Sequence, residues 1–201
     1  MNLVIITSVI NSKKNFFSNE ERFEQLIYKT IPSILNKIPN CYLVLLEGSR
    51  INNEQMNILK KLTNEIVQYE TFEFEKSYGE LSLISSYLES ESFSYIENKI
   101  DNLIKISGRY FLLDDFDFNK KIDENIIKKD HFRKVCETRY YKVVNKYIQK
   151  FKNEISNLRK IGIYLDLEHT FYHYDVISTV SEIDRIFLGG YLAPNGLYIE
   201  D

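Results

Sequence analysis

The chain reads as an α/β domain, with a mostly parallel central sheet, helices on both faces and a C-terminal hairpin. Three observations predict this. Apolar, β-branched runs at Leu3 to Val9, Cys41 to Leu46 and Leu103 to Ile106 lack the alternation of a half-exposed strand, so each reads as a strand buried on both faces. The intervening segments carry apolar residues at helical spacing, and the resulting order β-α-β-α-β-α-β favours parallel pairing. Pro194-Asn195-Gly196, between Ile186 to Ala193 and Leu197 to Ile199, is hairpin chemistry.

Composition narrows the function classes. With 201 residues, of which 44% are hydrophobic, positions 1–201 form one domain with material for a single sizeable core. The net charge of −3 and the dispersal of lysines among acids leave no general basic field, so nucleic acid is not an expected partner. Cys41 and Cys136 each sit in a strand-like run and read as core residues of a reducing compartment rather than as a disulfide. The N-terminal apolar run lacks a basic flank and is too short to be a signal or membrane segment, which makes the cytoplasm the expected location.

The elements follow in order. Ser18 with Glu21 is a capping box opening a helix at about Asn19, and Phe23, Leu26, Ile27, Ile31, Ile34 and Leu35 form its inward face. Pro32 predicts a kink or a new turn. Arg22, near the helix start, is either a surface pairing residue or a phosphate contact. A second helix is expected from Asn53 to Ile66, a third strand from Val67 to Phe74, and helices over Leu81 to Leu88 and Phe93 to Ile100. In the second half, a strand is expected within Arg133 to Val144 and an amphipathic helix over Asn145 to Arg159, with Glu168 and His169 at a later helix start.

The stretch Leu103 to Asp117 is the richest in chemistry. A buried strand meets Gly108, which permits a turn or a close ligand approach, and then Arg109, whose planar fork of donors matches phosphate or carboxylate. The carboxyl end of such a strand is where open α/β sheets bind ligands. Asp114, Asp115 and Asp117 follow. They form either a solvated acidic turn or an oxygen site for Mn²⁺ or Mg²⁺. Lys105, inside the strand, is a second source of positive charge, and Lys76 is either a phosphate contact or one more loop lysine. His169 and His173 are four residues apart but lack a third ligand and the His-Glu-x-x-His order, so packing and hydrogen bonding are preferred over zinc.

Several short motifs carry a resemblance. Thr-Ser-Val-Ile ends strand one, Glu-Gly-Ser follows strand two, and Lys-Ser-Tyr-Gly-Glu precedes a helix; Lys-Ile-Ser-Gly-Arg-Tyr, a late Glu-His and a final Gly-Gly-Tyr-Leu-Ala-Pro-Asn-Gly complete the set. Together they resemble small glycosyltransferases of the GT-A-like (Rossmann-like) type, including the N-terminal glycosyltransferase domain of a chlorella-virus multidomain protein and its bacterial relatives. The resemblance implies a nucleotide-diphosphate sugar lying across the sheet edge, a glycan or polysaccharide acceptor, and a Mn²⁺ or Mg²⁺ on an Asp-x-Asp motif. It places Thr7, Ser8 and Val9 in the nucleoside pocket and Lys76 and Gly79 near the diphosphate or sugar. This chain departs from it where the Asp-x-Asp belongs, reading Ser-Gly-Arg-Tyr there, so Arg109 and Lys105 are the alternative charge carriers.

Sugar transfer develops positive charge at the anomeric carbon and negative charge on the departing diphosphate, and an inverting reaction also needs a base at the acceptor hydroxyl. Glu168 is the first candidate base, as an acid among apolar and aromatic neighbours, followed by His169 and Asp115. A sugar-phosphate nucleotidyltransferase is disfavoured because Asn11 to Ser18 contains no glycine, and dinucleotide and methyl-transfer enzymes because no Gly-x-Gly follows a strand. The alternative from another class is a non-catalytic binding module on the same fold.

Overall fold

The computed structural model describes residues 1–12, 17–69, 76–162, 165–177, 180–181, 183–192 and 196–201. The first half supplies strands β1 (Asn2–Ser8), β2 (Cys41–Glu47), β3 (Glu65–Gln68) and β4 (Asn102–Ser107). The second half adds β5 (Tyr110–Leu112), β6 (Asn125–Asp130), β7 (Val135–Val144), β8 (Val180–Ser181), β9 (Leu188–Tyr191) and β10 (Tyr198–Glu200). A seven-stranded sheet has the order β3-β2-β1-β4-β7-β6-β8, and a three-stranded sheet has the order β10-β9-β5.

The four strands of the first half are mutually parallel, with Ile5 of β1 opposite Val44 on one side and Lys105 on the other. β7 runs antiparallel to both β4 and β6, and β8 parallel to β6. The small sheet contains the expected C-terminal hairpin: β9 and β10 pair antiparallel, and Pro194 and Asn195 of its turn lie outside the described residues. β5, β6 and β8 are strands that the sequence reading did not anticipate.

Helices cover both faces. On one, α1 (Asn19–Gln25) starts at the predicted capping box: Ser18 Oγ accepts from the Glu21 N–H at 3.1 Å and Glu21 Oε2 from the Ser18 N–H at 2.8 Å. A π-helical turn over Leu26–Thr30 then leads without a break into α2 (Ile31–Lys37), with Pro32 just after the π-turn. α3 (Asn53–Leu62) completes this face. The opposite face carries α4 (Lys76–Leu88), α5 (Glu91–Ile96), α6 (Asn145–Ile161) and α7 (Leu167–His173).

Three boundaries differ from expectation. α3 stops at Leu62 because Asn64 docks on β2, its N–H donating to Leu43 O at 2.9 Å and its Oδ1 accepting from the Leu43 N–H at 2.8 Å; Ile66 then pairs with Leu45 in β3. β3 ends at Gln68, and 70–75 lie outside the described residues. α5 gives way to a 3₁₀ turn at Glu97–Lys99, so Ile100 is extended and feeds β4. Leu35, assigned inward, is 47% exposed.

The sheet separates two cores. Leu3, Ile5 and Leu103 face Leu81, Ile84, Phe151 and Phe171, while Val4, Ile6 and Ile104 face Leu26, Ile31, Ile34 and Leu188. Each fully buried aliphatic side chain contributes about 2 kcal/mol. Cys41 and Cys136 are free thiols. Among the described residues no helix is long and apolar enough to cross a membrane.

Candidate functional site at the carboxyl edge of the sheet

Chain order places β2 and β3 on one side of β1 and β4 on the other, so the sheet reverses direction of growth between β1 and β4. The carboxyl ends flanking that reversal form the crevice where open α/β sheets take ligands. Ser8 and Gly108 meet there. A Cβ on Gly108 would lie 3.2 Å from Ser8 Cβ and 3.3 Å from its Oγ, so the close approach of the two strand ends depends on glycine. The Gly108 N–H donates to Thr7 O at 2.9 Å, and its carbonyl accepts from buried Thr30 Oγ1 at 3.1 Å, anchoring the β4–β5 turn to the π-helical segment.

Glu47, at the end of β2, was not among the sequence candidates, yet it organises this edge. Fully buried, its Oε1 accepts from the N–H groups of Ile10 at 3.0 Å and Ser49 at 2.9 Å, and from Ser49 Oγ. Burial pushes its carboxyl above the ordinary range against the hydrogen bonds from Ser49, Ile10 and Ser8. The available signal was an acid closing an otherwise apolar strand. Val9, 41% exposed, offers its carbonyl to Arg22 Nη1 at 2.7 Å. Arg22 is thereby a partner of the β1 end, and burial, with the charge of Arg109, brings its guanidinium down to about 10.

On the opposite face Lys105 is fully buried and ion-paired with Glu80. Its ammonium also donates to Ser107 Oγ at 2.9 Å and Thr138 O at 2.6 Å. Burial lowers its proton affinity, countered chiefly by Glu80 and then by Glu168. Its charge is therefore already matched within the fold rather than offered to a ligand. Glu80 belongs to the Lys-Ser-Tyr-Gly-Glu motif, from which the sequence reading took only Lys76 and Gly79; the signal for it was a lysine inside an apolar strand, which requires a carboxylate. Thr7 Oγ1 lies 3.5 Å from Glu80 Oε1. Gly79 is buried in the first turn of α4, and the side chain of Lys76 lies outside the described residues.

Glu168 comes to the same face. Its Oε1 accepts from Thr138 Oγ1 at 3.2 Å, so the backbone carbonyl and hydroxyl of one threonine join it to Lys105. His169 is instead turned to the cap of α7, with Nδ1 2.7 Å from Asp166 Oδ1. Arg109, on the turn after Gly108, has its guanidinium carbon 5.7 Å from the Tyr110 ring centroid and a buried Nη1 without a hydrogen-bond partner. No carboxylate pairs with it among the described residues.

The acidic run lies beyond β5, which carries the chain into the small sheet before Asp114 is reached. Asp114 is exposed, with Oδ1 3.6 Å from Lys37 Nζ; Asp115 is exposed; Asp117 Oδ1 accepts from the Asn119 N–H at 2.9 Å. Among the described residues no three His, Cys, Asp or Glu side chains converge on a common point suited to a metal ion. As arranged, these three carboxylates do not fit a divalent-metal centre.

A sheet that reverses its direction of growth between β1 and β4, with a polar crevice at that point, is an open α/β architecture. Its particular form is glycosyltransferase-like. The chain is similar to the apo structure of WbbM, a bifunctional glycosyltransferase, with a TM-score of 0.53 and 11% identity over 90% of this chain and 38% of that one. At that identity the likeness shows the fold alone. No family model matches the chain, and no curated protein matches it.

Proposed function

We propose that this chain is a glycosyltransferase that moves a sugar from a nucleotide-diphosphate donor to a glycan or polysaccharide acceptor, as the resemblance to small GT-A-type enzymes suggests. The observation that carries the reading is Arg109: a guanidinium at the β1–β4 crevice, with a buried Nη1 that has no hydrogen-bond partner among the described residues. A departing diphosphate would supply the acceptor atoms, and Arg109 would stabilise its growing charge. Thr7, Ser8 and Val9 would border the nucleoside, with Gly108 giving room for close approach and Lys76 and Gly79 near the diphosphate or sugar, as the resemblance implies. Glu168 is the proposed base for the acceptor hydroxyl. The bond from anomeric carbon to diphosphate oxygen breaks, the bond to the acceptor oxygen forms, and the hydroxyl proton passes to the carboxylate. The free thiols fit a reducing, cytoplasmic setting.

Calorimetric titration with nucleoside diphosphates and nucleotide sugars, with Mn²⁺ and with chelator, tests this. Binding of one nucleotide in the presence of chelator is the expected result and assigns the charge to Arg109. Binding only with Mn²⁺ would return the acidic run to the site. Absence of binding by folded protein would favour the second reading, a non-catalytic module, to which the matched charges of Lys105 and Glu80 already lend support.

A further inference from the structure

A cavity of about 330 Å³ opens beside Arg109, where α1 and the π-helical turn approach β9; Phe17, Gln25, Tyr28, Lys29, Arg109 and Tyr191 contribute to its wall. Its chemistry is of two kinds. Phe17 and Tyr191 stand with ring centroids 5.0 Å apart, and Tyr28 adds a ring that is 71% exposed, so the wall offers apolar faces of the sort that receive the C–H face of a sugar. Arg109 Nη1 and Gln25 Nε2 are buried donors without hydrogen-bond partners among the described residues, and Lys29, 5.5 Å from the Phe111 ring centroid, adds a second cation.

Two acids also touch the cavity, Glu21 and Glu24. Glu21 is engaged by the Ser18 N–H in the capping box, and Glu24 is exposed at the rim. Neither forms an ion pair with Arg109 or Lys29 among the described residues. Unsatisfied buried donors beside unmatched cations call for an acceptor-rich anion, and the rings call for a flat apolar surface on the same ligand. The volume sets its scale at one sugar unit rather than an extended chain.

We propose that this cavity is a binding subsite for an acidic saccharide, a sugar ring bearing a carboxylate or phosphate. Any part it plays in a sugar transfer rests on the glycosyltransferase reading; the binding itself does not. Gln25 and Lys29 are the cavity's own donors, and Arg109, on the turn between crevice and cavity, borders both.

The test is NMR titration of ¹⁵N-labelled protein with glucuronic acid, glucose 1-phosphate, methyl glucoside and inorganic phosphate, repeated on a Tyr28→Ala/Lys29→Ala variant whose melting temperature is checked first. The expected result is binding of at least one acidic sugar about tenfold tighter than both methyl glucoside and inorganic phosphate. Shifts should centre on Gln25, Arg109 and Tyr191, and the affinity should fall about tenfold in the variant. Which acid binds better decides between carboxylate and phosphate. Equal binding of the neutral sugar, equal binding of bare phosphate, unchanged affinity in a folded variant, or no binding would each overturn the proposal. If nucleotides bind and acidic sugars do not, this inference fails alone; if acidic sugars bind and nucleotides do not, the glycosyltransferase reading fails alone.

Discussion

Lys105 of β4 and Glu80 of α4 form an ion pair inside the fold, with the lysine only 1% exposed. Removing one member of a buried pair leaves the other uncompensated, a loss that exceeds the net worth of the pair. Lys105→Ala should therefore destabilise the protein by about 3 kcal/mol, while Lys105→Met combined with Glu80→Leu should recover at least half of that. Urea midpoints at constant slope measure both, and a double variant no better than the single would refute the account.

Glu47 gives a prediction of opposite character. Its folded-state carboxyl is raised, so the folded chain holds more protons than the unfolded one above the ordinary carboxylate range, and its stabilising contribution declines as pH rises through that region. Glu47→Gln keeps an acceptor for Ile10 and Ser49 without the buried charge, and should be at least as stable as the parent at pH 7. Glu47→Ala orphans those N–H groups and should cost about 2 kcal/mol. Denaturation at pH 7 and in mild acid compares the three proteins.

Lys142 should govern alkaline stability. Its ammonium donates to Lys121 O at 2.6 Å and Ile122 O at 3.0 Å, and burial brings it down to about 8 against the charges of Asp123 and Glu124. From there up to the ordinary lysine range the unfolded chain binds more protons, so stability rises with pH across the window. Lys142→Met should flatten that rise. Parallel slopes in parent and variant would show that other groups set the trend.

Arg109 and the acidic run separate under mutation. Arg109→Ala should reduce sugar transfer about 100-fold with an unchanged melting temperature, the effect expected of a lost donor to developing charge. Replacing Asp114, Asp115 and Asp117 together by Asn should leave the metal response of nucleotide binding as it was in the parent. Loss of a Mn²⁺ effect in the triple variant would identify the run as the metal site after all.

The local rules were legible from residue types. Ser18 and Glu21 announced a capping box, and unbroken apolar runs announced β1, β2 and β4. Gly108 was read as a stop, and it occupies a turn. What escaped were features whose cause lies far along the chain. α3 ends at Leu62 because Asn64 finds Leu43, not because of its own propensity. β5 is three residues long and is stabilised by β9, nearly eighty positions later, so its sequence carries almost no signal.

The same division runs through the site. Residue order alone determined that Gly108 and Arg109 follow a buried strand, that Glu168 opens a late helix, and that the chain alternates strands and helices, because each depends on neighbours within a few positions. The tertiary structure decided which charges remain available. It matched Lys105 to Glu80, moved the acidic run beyond β5, exposed Glu47 as the hub of the crevice edge, and left Arg109 with a donor that no described residue satisfies. The physical reason is that a charge is defined by its partners and its burial, and both are set by contacts between residues tens of positions apart.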